Sequence, residues 1–483
     1  MYLGIDLGTS GVKAVVLDDD QRIVAQATAL LSVSRPTDLW SEQDPADWIR
    51  ATETVLDSLA VNGGLEKVQG IGLSGQMHGA TLLDAADDVI RPAVLWNDTR
   101  SHAEAGALDS DPLFRELTGN VVFPGFTAPK LAWLQTHEPA AFANISTVLL
   151  PKDYLRFWLT GERVSEMSDA AGTAWLDMQK RDWSEPLLAA TGLRREHMPR
   201  LVEGTEPSGG LRETLAARWS MKPGLPVAGG AGDNAATAIG VGVIGEGDGF
   251  VSLGTSGVLF AATEGYRPNA ASAVHTFCHA LPNTWHQMGV ILSAASALDW
   301  FAGITGRPAK ALTDALGADL RGPGQVRFLP YLSGERTPHN DPHLVGSFDG
   351  MTHATDRAAM THAVLEGVAF ALAENLDALE AAGTRLSSIL AVGGGSRSRY
   401  WLELIATILG VEIKRPADGD FGAAFGAARL GMMTTGAKAT DVLTPPAISG
   451  TIAPNEALRA SYQDARSGFA ARRTAQLSVR GSR

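Results

Sequence analysis

Six residues near the start of the chain have the types and spacing to hold a phosphate group beside a metal ion. Asp6 ends an apolar run, Gly8-Thr9-Ser10-Gly11 follows it, and Lys13 comes two residues later. A tight turn of that composition aims backbone N–H groups and two hydroxyls into one concavity, an anion nest that needs no net positive charge. Asp6 beside it can hold Mg²⁺ on the β- and γ-phosphates of a nucleotide. Lys13 can add a point charge, although a strand lysine is as readily a solvated residue.

Further along, LPVAGGAGDNAATAIGVG (225–242) sets Asp233 and Asn234 at the start of an Ala-rich helical stretch. An Asp in that setting is a natural N-cap. Gly229, Gly230 and Gly232 also clear side chains away from it, so a substrate hydroxyl can reach the carboxylate as a general base requires. Phosphoryl transfer needs such an acceptor for the hydroxyl proton. A third cluster, Gly393-Gly394-Gly395, ends the apolar run 389–392 and leads into a helix-like segment at 400–409. Three successive glycines exceed what a strand-to-helix turn requires and offer bare backbone to a flat adenine ring. On the acceptor side stand Gln76, Met77 and His78 at the end of a strand, and Trp96-Asn97-Asp98 after another apolar run. Taken alone, Met77 reads as core and His78 as an ordinary hydrogen-bonded histidine; their place at a strand end makes both candidates for polyol contact.

These groups have to be positioned by strands. Residues 2–6, 12–17 and 23–31 read as three short strands, Trp48, Ala51, Val55 and Leu59 recur at helical spacing, and 68–74 resumes as a buried strand. The opening then recurs: Leu7-Gly8-Thr9-Ser10-Gly11-Val12 reappears as Leu253-Gly254-Thr255-Ser256-Gly257-Val258, six identical residues at an offset of 246 in a chain of 483. An offset of half the length predicts a duplicated, two-lobed α/β architecture, divided near Gly245 into lobes 1–245 and 246–483. Only the first copy carries a carboxylate, since Ser252 stands where the first has Asp6.

Composition removes other classes. A net charge of −13 speaks against nucleic acid or an anionic membrane surface as partner. The single cysteine, Cys278, excludes an intrachain disulfide and fits a reducing compartment, so the cytoplasm is expected. No uncharged 18-residue apolar stretch predicts a membrane span. Gly70-x-Gly72-x-x-Gly75 and Gly240-x-Gly242-x-x-Gly245 match a dinucleotide fingerprint without its βαβ context, and GxxxxGK[ST] does not occur. The tail at 471–483 reads as mobile.

Together the segments GIDLGTSGVK, WSEQDP, SGQMHGA, LWNDTR, PGFTAPKLAW, LLPKDYL, SDAAGTAWLD, GGAGDNAA, SLGTSGV, LPYLSGERTPHNDP and AVGGGSRS resemble the FGGY carbohydrate kinases, over nearly the whole chain. The resemblance implies a two-lobed actin-like ATPase fold with ribonuclease H-like duplicated domains and an interlobe cleft. QMHG combined with GDNAA and SGERTPHN is similar to the members that act on D-xylulose. It thus implies ATP- and Mg²⁺-dependent phosphorylation of that sugar at C5, with Asp233 as base and Asp6 and Asp233 as the metal-facing carboxylates; the alternatives are a kinase for another sugar or polyol such as ribulose, gluconate or glycerol, and an actin- or Hsp70-like ATPase, which the duplicated phosphate loops alone permit. By the same resemblance Gly8, Thr9, Ser10, Lys13, Gly254 and Thr255 hold phosphates, Gly394 and Gly395 line adenine, and Met77, His78 and Asn234 meet the sugar. Lys13 stands where related glycerol kinases carry arginine, which keeps charge and loses the bidentate fork. Arg336 and Glu366 are left between a closure ion pair and a catalytic role. A homodimer is compatible with the family, and no apolar stripe in the sequence marks its interface.

Overall fold

The computed structural model describes residues 1–61, 64–417 and 421–481. Two seven-stranded sheets, one in each half, organise the chain. In the first, β1 (Tyr2–Leu7) pairs antiparallel with β2 (Gly11–Leu17), which pairs with β3 (Ile23–Leu30). On its other side β1 pairs parallel with β4 (Gly70–Gly75), reached through the amphipathic helix α1 (Pro45–Val61). The short strand β5 (Ala231–Gly232) adds to the far side of β4, and α2 (Asp233–Val241) follows at once. Alternation explains β3, whose residues are half-buried and exposed in turn, while β4 is buried throughout, as a central parallel strand must be.

The second sheet repeats this plan. β6 (Gly249–Leu253) pairs antiparallel with β7 (Gly257–Thr263), and parallel with β8 (Ser388–Val392) on its other side. The repeated hexapeptide occupies the β1–β2 turn in one half and the β6–β7 turn in the other. Its registers differ by one residue, because Leu7 lies opposite Val12 whereas Leu253 lies opposite Gly257.

One element crosses the division expected at 245. The helix α3 (Ala423–Met433) belongs to the second half by sequence and lies on β1 and β4 of the first sheet and against α2. Its small residues allow backbone-to-backbone contact: a Cβ on Gly72 would stand 1.7 Å from the Ala427 carbonyl oxygen, and one on Gly426 1.8 Å from that of Ala236. Three glycines of the two fingerprint-like motifs serve this packing. Gly70 and Gly72 face α3, and Gly240 faces the Phe421 carbonyl.

The C-terminal expectation is corrected. Residues Glu456–Gly481 form a helix, and Arg473 within it pairs with Glu374 of the long helix Arg357–Ala381. Residues 482 and 483 lie outside the described residues. Among the described residues no helix is long and apolar enough to cross a membrane.

Candidate active site

The register of the first sheet assembles the acidic groups. Lys13, Asp6, Ser74 and Ala231 form one row across β2, β1, β4 and β5, so the first three share a face, and Asp233 follows one residue beyond the strand that ends the row. At strand spacing, β1 and β5 are roughly 10 Å apart across β4, and the charge of Asp233, just beyond β5, reaches Asp6. Burial raises the Asp6 carboxyl to about 6, the charge of Asp233 adds to the shift, and Ser74 and Lys13 oppose it. Asp6 Oδ1 is buried without a hydrogen-bond partner among the described residues. Burial brings Asp233 to about 6 as well.

Asp233 is the first residue of α2, after Gly232, so it does not occupy the N-cap position. Its Oδ1 accepts from Asn234 N at 2.7 Å and from Asn234 Nδ2 at 3.1 Å, which leaves Oδ2 for a ligand. The Asn234 amide is thus spent in part on the carboxylate, where the sequence suggested the sugar alone.

Both Gly-Thr-Ser-Gly turns lie at the ends of the first strand of their sheets, and the structure alters which of their groups are available. Gly8 N–H donates to Gly11 O at 3.0 Å and is consumed by the turn itself. The Thr9 hydroxyl donates to Gln76 Oε1 at 2.8 Å and accepts from Trp96 Nε1 at 2.9 Å, while Gln43 Nε2 donates to Thr9 O. Thr9 therefore ties the turn to the acceptor side, and Ser10, exposed, presents the hydroxyl that is left. In the second turn Gly254 O and Thr255 O accept from Ala295 N and Ala294 N, which hold the backbone while the Thr255 side chain stays exposed.

A cavity of about 530 Å³ lies at the end of β8, lined by Gly393, Gly394, Arg397, Arg415, Phe421 and, from α2, Thr237 and Val241. A Cβ on Gly394 would meet nothing within 4 Å. Gly395 is different: its Cβ would stand 2.8 Å from Leu253 Cβ and 3.0 Å from the Trp401 ring, so it serves close packing of strand on helix and not the cavity.

On the acceptor side, Met77 packs against Gly232, and His78 takes a left-handed backbone at φ 68°. Two donors fix that strained residue through its carbonyl, Lys130 Nζ at 2.7 Å and Thr127 Oγ1 at 3.2 Å. The His78 ring stacks on Phe126 with centroids 4.8 Å apart, and Nδ1 lies 2.6 Å from Gly172 O, which assigns the proton to Nδ1. Burial, Lys130 and Arg336 depress its pKa to about 3, so the imidazole is neutral and Nε2 is an acceptor. Sequence reasoning missed the second half's share in this wall. Phe277 stands edge-on to His78 at 6.2 Å, His275 lies 5.7 Å from Phe126, and the Arg336 guanidinium sits 4.8 Å above Phe123 and 3.4 Å from His275 Nε2. No spacing signal links these residues; only the isolated aromatics of FPGF and HTFC could have drawn attention. Glu366 is elsewhere, accepting from Gly324 N and paired with His362 and Arg327, so it forms no pair with Arg336.

The N-terminal domain model of the FGGY family of carbohydrate kinases matches residues 1–240 and its C-terminal domain model 249–435. The chain belongs to the FGGY family of carbohydrate kinases. The fold of this FGGY chain is accordingly the two-lobed α/β architecture of the actin-like ATPases. It is 52% identical to a xylulose kinase of Klebsiella pneumoniae over 432 residues, 89% of either chain. It is 49% identical to a xylulose kinase of Escherichia coli K12 over 473 residues, 97% of this chain and 98% of that one. A crystal structure of a xyloylose kinase from Brucella ovis, 59% identical, superposes with a TM-score of 0.98 over 99% of both chains.

Proposed function

We propose that the chain transfers the γ-phosphoryl group of ATP to the C5 hydroxyl of D-xylulose, with Asp233 as general base. Family membership and high identity to xylulose kinases over most of the chain support the reaction and its substrate. The helix α2 carries the mechanism. Its Thr237 and Val241 face the cavity at Gly394, and Asp233 opens the same helix, roughly 6 Å along the axis from Thr237 and roughly 12 Å from Val241 at 1.5 Å per residue. A nucleotide whose base fills the cavity therefore directs its phosphates along α2 toward the two carboxylates.

Ser10, Lys13, Gly254 and Thr255 are the contacts we assign to those phosphates. The orphaned Asp6 Oδ1, with Asp233 nearby, fits Mg²⁺, which typically takes one or two carboxylates and completes its shell with phosphates and water. Bound there, the ion neutralises charge on the transferring group. On the acceptor side neutral His78 accepts a sugar hydroxyl at Nε2, while Met77 and Trp96 offer apolar surface. As the C5 oxygen bonds to the γ-phosphorus and the bond to the ADP oxygen breaks, the hydroxyl proton passes to Asp233 Oδ2. We assign acceptor and base to lobe 1–245 and nucleotide to lobe 246–483, with closure between them excluding water. We assign the reaction to the cytoplasm, because a chain with a single cysteine suits a reducing compartment.

A panel of pentuloses, hexuloses and polyols, read by sugar-dependent ADP release, tests the substrate. D-xylulose is expected to give the highest kcat/KM, by tenfold or more; another acceptor exceeding it would overturn the assignment, and ATP turnover indifferent to every acceptor would overturn the kinase reading.

A further inference from the structure

Behind the strand-turn that delivers Asp233 lies a group of charged side chains that no step above uses. Lys152, Asp153, Arg156, Glu166 and Asp169 are all fully buried. Lys152 Nζ lies 2.8 Å from Asp153, 3.4 Å from Asp169 and 3.6 Å from Glu166, and Arg156 Nη1 lies 2.6 Å from Asp153. Three carboxyls against two cations leave one negative charge unless one carboxyl keeps its proton. Asp169, neither of whose oxygens has a hydrogen-bond partner among the described residues, is held well above the usual carboxylate range, chiefly by burial. A proton retained there would leave the cluster without net charge, while each buried ion pair still carries its desolvation cost.

The cluster grips the backbone before Asp233 at successive points. Arg156 Nη2 donates to Gly229 O, and Arg156 Nε donates to Ser208 Oγ, whose hydroxyl lies 2.9 Å from Val227 O. Gly232 N–H donates to Ser168 Oγ at 3.1 Å, and the Ser168 hydroxyl donates to the Glu166 carboxylate at 2.9 Å. Glu166 also accepts from Ser168 N at 2.7 Å and Asp169 N at 2.9 Å, so its own position is fixed from three sides. Gly232 needs such a hold. A Cβ there would stand 2.8 Å from Met77 Cγ, so the acceptor wall demands glycine at the residue that precedes the base. Glycine is the residue with most backbone freedom, and freedom at 232 would be inherited by the carboxylate at 233.

We infer that Ser168, oriented by Glu166, is a positioning residue that fixes the Gly232–Asp233 turn and thereby the aim of the base. The inference rests on the reading of Asp233 as base. Its test compares Ser168→Ala, Ser168→Thr and Asp233→Asn in the full chain, each checked for folding by its melting curve. Small displacements of a reacting group cost one to two orders of magnitude in rate. Ser168→Ala is expected to lower kcat for D-xylulose about tenfold with the KM values for ATP and sugar within twofold, a split that general loosening would not produce. Ser168→Thr, which keeps the oxygen, is expected to recover most of the loss.

If Ser168→Ala turns over within twofold of the parent, or if a folded Ser168→Thr is as slow as the alanine variant, the positioning role is wrong. Should Ser168→Thr fail to fold, the alanine variant decides alone. An active Asp233→Asn would remove the base itself, whatever Ser168 does; an inactive one beside a normal Ser168→Ala would leave the base and remove only Ser168.

Discussion

Burial holds two carboxyls, those of Asp6 and Asp233, near 6, and the charge of Asp233 adds to the shift at Asp6. A base works only when it has lost its proton, and a carboxylate that faces a cation must also be ionised, so the active form lies above both values. Because the charge of Asp233 raises Asp6, the two do not titrate independently. The expected pH profile of kcat/KM is therefore flat above pH 7 and falls below about pH 6, more steeply than one decade per unit. Activity undiminished at pH 5, with the protein still folded, would show that neither carboxylate has to be ionised. Asp6, Asp233 and the first glycine turn were legible in the sequence, because a carboxylate before Gly-Thr-Ser-Gly and an Asp-Asn after a glycine cluster are local patterns. The use of the Thr9 hydroxyl was not: Gln76 and Trp96 bond it from two separate segments while Gln43 holds the Thr9 carbonyl from a third, and one-dimensional order carries no trace of that meeting.

At the scale of elements, the site depends on helices and strands packed closer than side chains normally allow. The helix α3 reaches the first sheet because Gly72, Gly426 and their neighbours expose bare backbone. Gly72→Ala would drive a methyl group into the Ala427 carbonyl. A buried clash with backbone cannot be relieved by a rotamer change, so a loss of about 3 kcal/mol or more is expected, read as a lower urea midpoint. An unchanged midpoint would mean that α3 does not rest on this strand. The strands themselves were readable to within a residue or so, since β-branched runs bounded by glycine turns are a short-range signal. The crossing of α3 was not readable. Its Ala and Gly residues announce a helix with a close neighbour without saying which sheet that neighbour is, and the sequence placed it with the second lobe. Gly395 was misjudged for a related reason: in a run of three glycines only Gly394 is open, while Gly395 makes room for Leu253 and Trp401.

The molecule as a whole is two related sheets that share a boundary instead of meeting at a clean cut. The repeated hexapeptide disclosed the duplication, and the one-residue difference in register shows that the copies have diverged in pairing as well as in charge. His78, from the first half, meets Phe277 of the second, which in turn packs on His275, so the wall proposed for the acceptor is drawn from both halves. In the mechanism we propose, the nucleotide reaches the same point along α2. The proposed mechanism rests on a single carboxylate, Asp233, taking a proton from the acceptor. The most direct measurement is D-xylulose-dependent ADP release by Asp233→Asn, alongside its Kd for ATP. A fall in kcat of about 10³-fold, with ATP bound within threefold of the parent, is the expected result. Turnover within tenfold of the parent would contradict it.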